Sequence, residues 1–306
     1  MSPIESYVGG SPDSLQGELR NFEEIARGIV PRPGSIPSLA GIEVYGQTVP
    51  LNGVVGGDHL IYVDFKKRYD LDARIEVAAG ADRRDIVENL ERCRHMAGIA
   101  LIDVSGHQVT DAMLAAMFHQ AFLTGALYEL DMFGHITRRL FENLNTRFHR
   151  SSRVSKFITA LYGEISENAR FRFLAAASPV PVVFSAANDR FMEIGREDYT
   201  SFPPLGTFPS RNVVDRKLSD GVLGFKETYR VNEWTLMGAG DILLFYTDGL
   251  EEHAAGRDPY YPSRFEQAVR RAKDLSAAEI VRTVLDDLRA FADPRDDLSL
   301  VAIKRT

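Results

Sequence analysis

The chain has 306 residues, 44% of them hydrophobic and 26% charged, and a net charge of −7 at pH 7. That is the composition of a globular protein with apolar residues enough for a sizeable core. The negative balance, with no arginine- or lysine-rich stripe interleaved with aromatics, argues against nucleic acid and anionic membrane surfaces as partners.

Residues 1–14 lack the basic-then-apolar order of a signal peptide, and no stretch approaches the roughly 18 apolar residues of a membrane span. A single cysteine, Cys93, excludes an intramolecular disulfide and a cysteine-rich zinc site. A cytoplasmic location with no membrane contact is the expectation.

In chain order, Asp13 or Ser14 caps a helix running to about Arg27, and the prolines between 31 and 37 detach it from the rest of the chain. Two domains are therefore expected, a helix with its connector over 1–38 and a main body over 39–306. The helix covers its own body or serves as a docking or dimerisation element, in a homodimer or with a regulatory partner. Strands are expected at 41–49 and 59–65, then a loop or hairpin from Lys66 to Arg84, a helix over 85–96 and a buried strand over 97–102 that runs into Asp103. Helices are expected over 110–127 and 131–150. An antiparallel meander over 156–165, 170–176, 181–186 and 191–194 comes next, with further strands at 224–232 and 241–246. Helices at 263–273 and 276–291 and a strand at 298–304 complete the chain. Runs of strands interrupted by paired helices indicate an α+β layered fold rather than a parallel doubly wound sheet.

Four acidic segments stand at the edges of these apolar runs: Gly56-Gly57-Asp58, Asp103-Val104-Ser105-Gly106-His107, Asp241 to Gly249 ending in Asp248-Gly249, and Arg295-Asp296-Asp297. Carboxylates at strand ends, beside glycines that admit backbone carbonyls, suit hard divalent cations held through oxygen. Singly, each segment reads better as a turn or a helix cap. Their recurrence in this order points to a metal-dependent hydrolase.

Taken with their flanks, the segments resemble the PP2C-like (PPM) metal-dependent serine/threonine phosphatases, in the bacterial SpoIIE/RsbU-type branch. The motifs that carry the resemblance are Val55-Gly56-Gly57-Asp58, Ala100 to His107, Ile158 to Gly163, Ala175 to Pro181, Gly240 to Gly249 and Asp296 to Leu300. The resemblance spans roughly residues 15–305. It implies an α-β-β-α four-layer sandwich with two central antiparallel sheets, and two Mn²⁺ or Mg²⁺ ions at one end. Carried over by motif, Asp103 bridges both ions, Asp58 and the Val104 backbone carbonyl serve one, and Asp248 with Asp296 serve the other, Asp297 being the alternative to Asp296. It also implies hydrolysis of a phosphorylated regulatory protein, such as an anti-sigma factor antagonist, by metal-activated water.

The chemistry asks for the same groups. A phosphate monoester dianion repels hydroxide, so a nucleophile must be generated near neutral pH and charge on the phosphoryl oxygens absorbed. His107 is a candidate general acid on its ordinary pKa of about 6.5, with a motif-shaping role as the competing reading. Departures from the family's pattern include His59-Leu60-Ile61 after Asp58, Gln108 after His107, and Ala175-Ala176-Ala177-Ser178. The competing functions are a catalytically weak or inactive phosphatase-fold interaction module and a diguanylate cyclase, suggested by Gly56-Gly57-Asp58 but lacking the glutamate and phenylalanine that should come after it. A serine nucleophile at Ser105 lacks the glycine two residues before it that a nucleophile elbow needs.

Overall fold

Apolar alternation makes residues 42–49 a strand with one face inward, Ile42 and Val44 being buried. Continuous apolar runs such as Met96–Val104 make strands buried on both faces. The computed structural model describes residues 12–53, 55–106, 108–151, 156–211, 224–236 and 238–306.

After helix α1 (Pro12–Arg27) and a single 3₁₀ turn at Pro33–Ser35 come β1 (Ile42–Val49), β2 (His59–Asp64), α2 (Phe65–Arg68), α3 (Leu71–Gly80), α4 (Arg84–Cys93) and β3 (Met96–Val104). The long α5 (Val109–Phe133) and α6 (Arg138–Ser151) are next, then β4 (Ile158–Ser166), β5 (Arg170–Ala176), β6 (Val182–Ser185), β7 (Arg190–Phe191) and β8 (Asn232–Thr235). The chain continues through β9 (Ile242–Tyr246), α7 (Asp248–Glu251), the short pair β10 (Ala254–Ala255) and β11 (Asp258–Pro259), α8 (Ser263–Ala272), α9 (Ala277–Phe291) and β12 (Leu298–Arg305).

The strands form two five-stranded antiparallel sheets, β1-β12-β9-β6-β7 and β2-β3-β4-β5-β8. Leu60, Ile99, Leu161, Phe171, Phe245 and Val301 fill the space between them. On the outer face of the second sheet, Phe118, Phe122, Leu130 and Leu144 of α5 and α6 pack on Ile61, Ile102 and Tyr162. On the outer face of the first, Phe265, Val269, Ile280 and Val284 of α8 and α9 pack on Leu244 and Leu300. This is the expected four-layer α-β-β-α sandwich.

Four local expectations are corrected. The segment 66–84 is not a loop or hairpin but two helices, each started by an aspartate side chain: Asp64 accepts from Lys67 N and Asp70 from Ala73 N. The density of charge hid them, because only Leu71 and Ala78 of α3 are buried. Helix α5 does not stop near 127 but runs to Phe133, ending where Gly134 takes a left-handed φ of 71°. The meander is split, β4 and β5 lying in one sheet and β6 and β7 in the other. Residues 224–231 are not a strand; the regular pairing begins at Asn232.

Candidate functional site

The end of β3, the start of β4, the loop before β2, the loop after β9 and the loop before β12 meet at one end of the sandwich. Strand pairing brings Asp103 opposite Thr159, and Thr159 Oγ1 lies 3.4 Å from Asp103 Oδ2. The Gly57 carbonyl accepts from Val104 N at 3.2 Å, joining the loop before β2 to the end of β3. Thr247 and Ser299 join β9 to β12 through Thr247 N to the Ser299 carbonyl (3.3 Å) and Ser299 N to Thr247 Oγ1 (3.2 Å).

Glycines permit this convergence. A Cβ at Gly56 would collide with the Asp297 carboxylate, one at Gly57 would lie 2.6 Å from the Val104 carbonyl oxygen, and one at Gly249 would collide with the Asp297 carbonyl. All three belong to the motifs read from the sequence, and each is required by close backbone approach rather than by an unusual φ.

Within this frame the aspartates divide. The Asp297 carboxylate is buried and accepts three backbone amides, Leu51 N at 2.6 Å, Gly57 N at 2.7 Å and Asp58 N at 3.2 Å. It therefore closes the loop that carries Asp58. Asp58 is also buried and accepts from Thr247 Oγ1 at 2.6 Å. Burial, and then the charge of Asp103, push its pKa well above the ordinary carboxylate range. Asp103, Asp248 and Asp296 are only partly covered. Burial raises the Asp103 pKa to about 7, helped by the nearby charges of Asp248 and Asp296. Burial and then Asp296 raise that of Asp248. One Asp296 oxygen accepts from Asp297 N at 2.8 Å.

The donor set is hard oxygen throughout and fits a divalent cation of the Mg²⁺ or Mn²⁺ class: three mutually repelling carboxylates, with the Val104 carbonyl close by behind a glycine that leaves it room. Among the described residues no three acidic, histidine or cysteine side chains converge as a ready-made cation cage. His107 lies outside the described residues.

Several neighbours were not legible as site residues. Thr247, Ser299 and Thr159 become visible only through strand register. Lys156 donates to the Ser105 carbonyl at 2.6 Å and lies 3.0 Å from buried Asp111, fastening the turn after Val104 to the first turn of α5. His59 is buried with its Nε2 2.7 Å from His119 Nδ1 on α5. Burial, with His119 beside His59 and Arg68 near His119, lowers the two pKa values to about 3 and about 4, so both imidazoles are neutral at physiological pH.

Comparison with known proteins decides the family. The family model for stage II sporulation protein E (SpoIIE) matches residues 94–306. The chain belongs to the SpoIIE family of PP2C-type phosphatases. No curated protein sequence matches it. Among solved structures the SiaA PP2C domain of Pseudomonas aeruginosa superposes with a TM-score of 0.61 at 15% identity, covering 99% of each chain. The RsbU and RsbW domains of a Mycobacterium tuberculosis protein give 0.60 at 19%, covering 90% of this chain and 64% of that one. The phosphatase domain of Bacillus subtilis SpoIIE with a fragment of its regulatory domain gives 0.58 at 14%, covering 87% of this chain. This chain spans 64% of that structure too. At these identities the superpositions show the PP2C fold. In this SpoIIE-family chain, no helix among the described residues is long and apolar enough to cross a membrane.

Proposed function

We propose that this chain is a metal-dependent phosphoprotein phosphatase, hydrolysing phosphoserine or phosphothreonine on a regulatory protein such as an anti-sigma factor antagonist. The observation that carries the reading is that Asp103, Asp248 and Asp296, from three separate segments, approach closely enough at one end of the sandwich for their charges to act on one another. Residues 39–306 are the catalytic domain in this reading and residues 1–38 a helix with its connector. The substrate class rests on the family, and on a neighbour of similar fold that carries an RsbW domain.

Asp103, whose charge acts on Asp58 and which itself feels the charges of Asp248 and Asp296, would be shared between two cations in this reading. Asp58 and the Val104 carbonyl would hold one, Asp248 and Asp296 the other. Two Mn²⁺ or Mg²⁺ ions bound there supply a water nucleophile near neutral pH and neutralise charge on the phosphoryl group. The chain's own part is to hold these oxygens in place. Asp297 fixes the Asp58 loop, Thr247 orients Asp58, Thr159 orients Asp103, and Lys156 steadies the turn after Val104.

The test is phosphate release from a phosphoserine protein or an aryl phosphate with millimolar Mn²⁺, beside the same protein in chelator and the Asp103→Asn variant. Metal-dependent turnover that falls by at least about 10³-fold in the variant, some 4 kcal/mol of transition-state stabilisation, is expected. Turnover that survives chelator or the substitution contradicts the reading. Absence of both turnover and metal binding in the wild type favours a phosphatase-fold interaction module instead.

A further inference from the structure

Among the described residues strand β2 is the outermost strand of its sheet and pairs only with β3. The connector after α1 passes over that open edge and is pinned at its far end. Ser38 N donates to Asp64 Oδ2 at 3.2 Å, Lys67 Nζ to the Ile36 carbonyl at 2.8 Å, and Lys66 Nζ to the Ser38 carbonyl at 3.1 Å. Nearer α1 the connector stands off the strand. A cavity of about 460 Å³ lies between them, walled by Ile29, Val30 and the β2 edge. That volume falls within the roughly 300–1,000 Å³ usual for small-molecule sites.

The charge of this cavity opposes that of the chain. Arg32, Lys67 and Arg68 line it, with Asp64 as its acidic residue and His119 as its histidine. Asp64 is already engaged, capping α2 through Lys67 N, accepting Ser38 N and lying 3.4 Å from Lys67 Nζ. Lys67 and Asp64 therefore cancel. Arg68 donates to a neutral acceptor, the Tyr62 carbonyl, at 3.2 Å. Among the described residues neither Arg32 nor Arg68 has a carboxylate partner. Two guanidinium groups thus face one concave, partly apolar space in a protein of net charge −7. A guanidinium presents paired N–H donors in a plane that matches phosphate oxygens, and it is less strongly hydrated than an ammonium.

We propose that this cavity binds a small phosphate-bearing anion of about the size of a nucleoside monophosphate, with Arg32 and Arg68 as its clamp. The apolar wall from Ile29 and Val30 supplies a surface for a ring beside the charged end. The site is separate from the acidic cluster and needs no turnover there. His119 stands between the two, since it lines the cavity and its Nδ1 meets His59, the residue after Asp58.

The experiment is a calorimetric titration of the full chain, freed of divalent cations, with adenosine monophosphate, with pyrophosphate, and with adenosine as the uncharged control. In metal-free protein the acidic cluster repels anions, so binding reports on the cavity. The expected result is saturable one-to-one binding of adenosine monophosphate, weakened at least tenfold in an Arg32→Ala/Arg68→Ala variant and unaltered by Asp103→Asn. Pyrophosphate is expected to lose affinity in the same arginine variant. Both arginines are exposed, so their replacement should leave thermal unfolding unchanged. Failure of both phosphates to saturate, adenosine binding as tightly as its monophosphate, or an arginine variant that binds like the wild type would overturn the proposal. Loss of phosphatase activity elsewhere would not affect it.

Discussion

Asp296 and Asp297 are neighbours in sequence and do opposite things. Asp297 turns inward, and its carboxylate accepts three backbone amides from the loop before β2. Asp296 stays at the mouth, where its charge acts on Asp103 and Asp248. The inner carboxylate is stabilising because its charge is solvated by amide dipoles. At the mouth, burial and then the like charges sharing that space raise the affinity of Asp103 and Asp248 for protons. A motif that reads as a pair of acids is thus one structural fastening and one carboxylate left at the mouth.

The largest effect expected of breaking this division is at the inner residue. Asp297→Ala leaves the Leu51, Gly57 and Asp58 amides without their acceptor, two of them in buried surroundings. Unsatisfied buried donors cost about 1–3 kcal/mol each, with imperfect additivity, so a loss of about 3 kcal/mol is expected by denaturant unfolding. A loss below about 1 kcal/mol would show that Asp297 does not hold the loop.

Next comes Thr247→Val, which preserves shape but removes the 2.6 Å donor to buried Asp58. A buried polar group left without its partner costs about 1–3 kcal/mol, so a destabilisation of about 2 kcal/mol is expected in denaturant unfolding. An unchanged unfolding midpoint would place Asp58 outside the frame.

The smallest effect separates burial from like-charge repulsion. Glu164, towards the other end of β4, is buried and hydrogen-bonded to Tyr162 Oη at 2.9 Å. Burial alone is what raises its pKa, from 4.5 to about 7, the Tyr162 hydrogen bond and Arg172 opposing it. The folded protein therefore binds this proton more tightly than the unfolded chain. The resulting stability is fully present below about pH 4.5 and is lost as pH rises through about 7. Glu164→Gln should flatten that component in unfolding measured from pH 4.5 to 8. An identical slope in the variant would contradict the assignment.

An α+β layered fold was legible because its strands are apolar runs and helices such as α8 and α9 have clear 3.6-residue periodicity, while the four-layer sandwich came from the family resemblance. Helices α2 and α3 were not, because they are stabilised by aspartate caps and bury few residues. The split of β5 from β6 into different sheets was equally hidden, since strand order is a tertiary fact that no local pattern encodes. At the site, the glycines and aspartates showed themselves as motifs. The division between Asp296 and Asp297 did not, for it depends on which side chain the Gly56-Gly57 loop wraps around. The His59–His119 contact joins residues 60 positions apart, and one sequence gives no sign of it.

The most direct test of the account compares Asp296→Asn with Asp297→Asn, reading Mn²⁺ affinity by calorimetry and stability by thermal unfolding of the metal-free protein. Asp296→Asn is expected to lose Mn²⁺ affinity at least tenfold with its unfolding temperature unchanged or raised, and Asp297→Asn to unfold at a clearly lower temperature. The reverse pattern, with stability lost at Asp296 and metal affinity alone lost at Asp297, would contradict it.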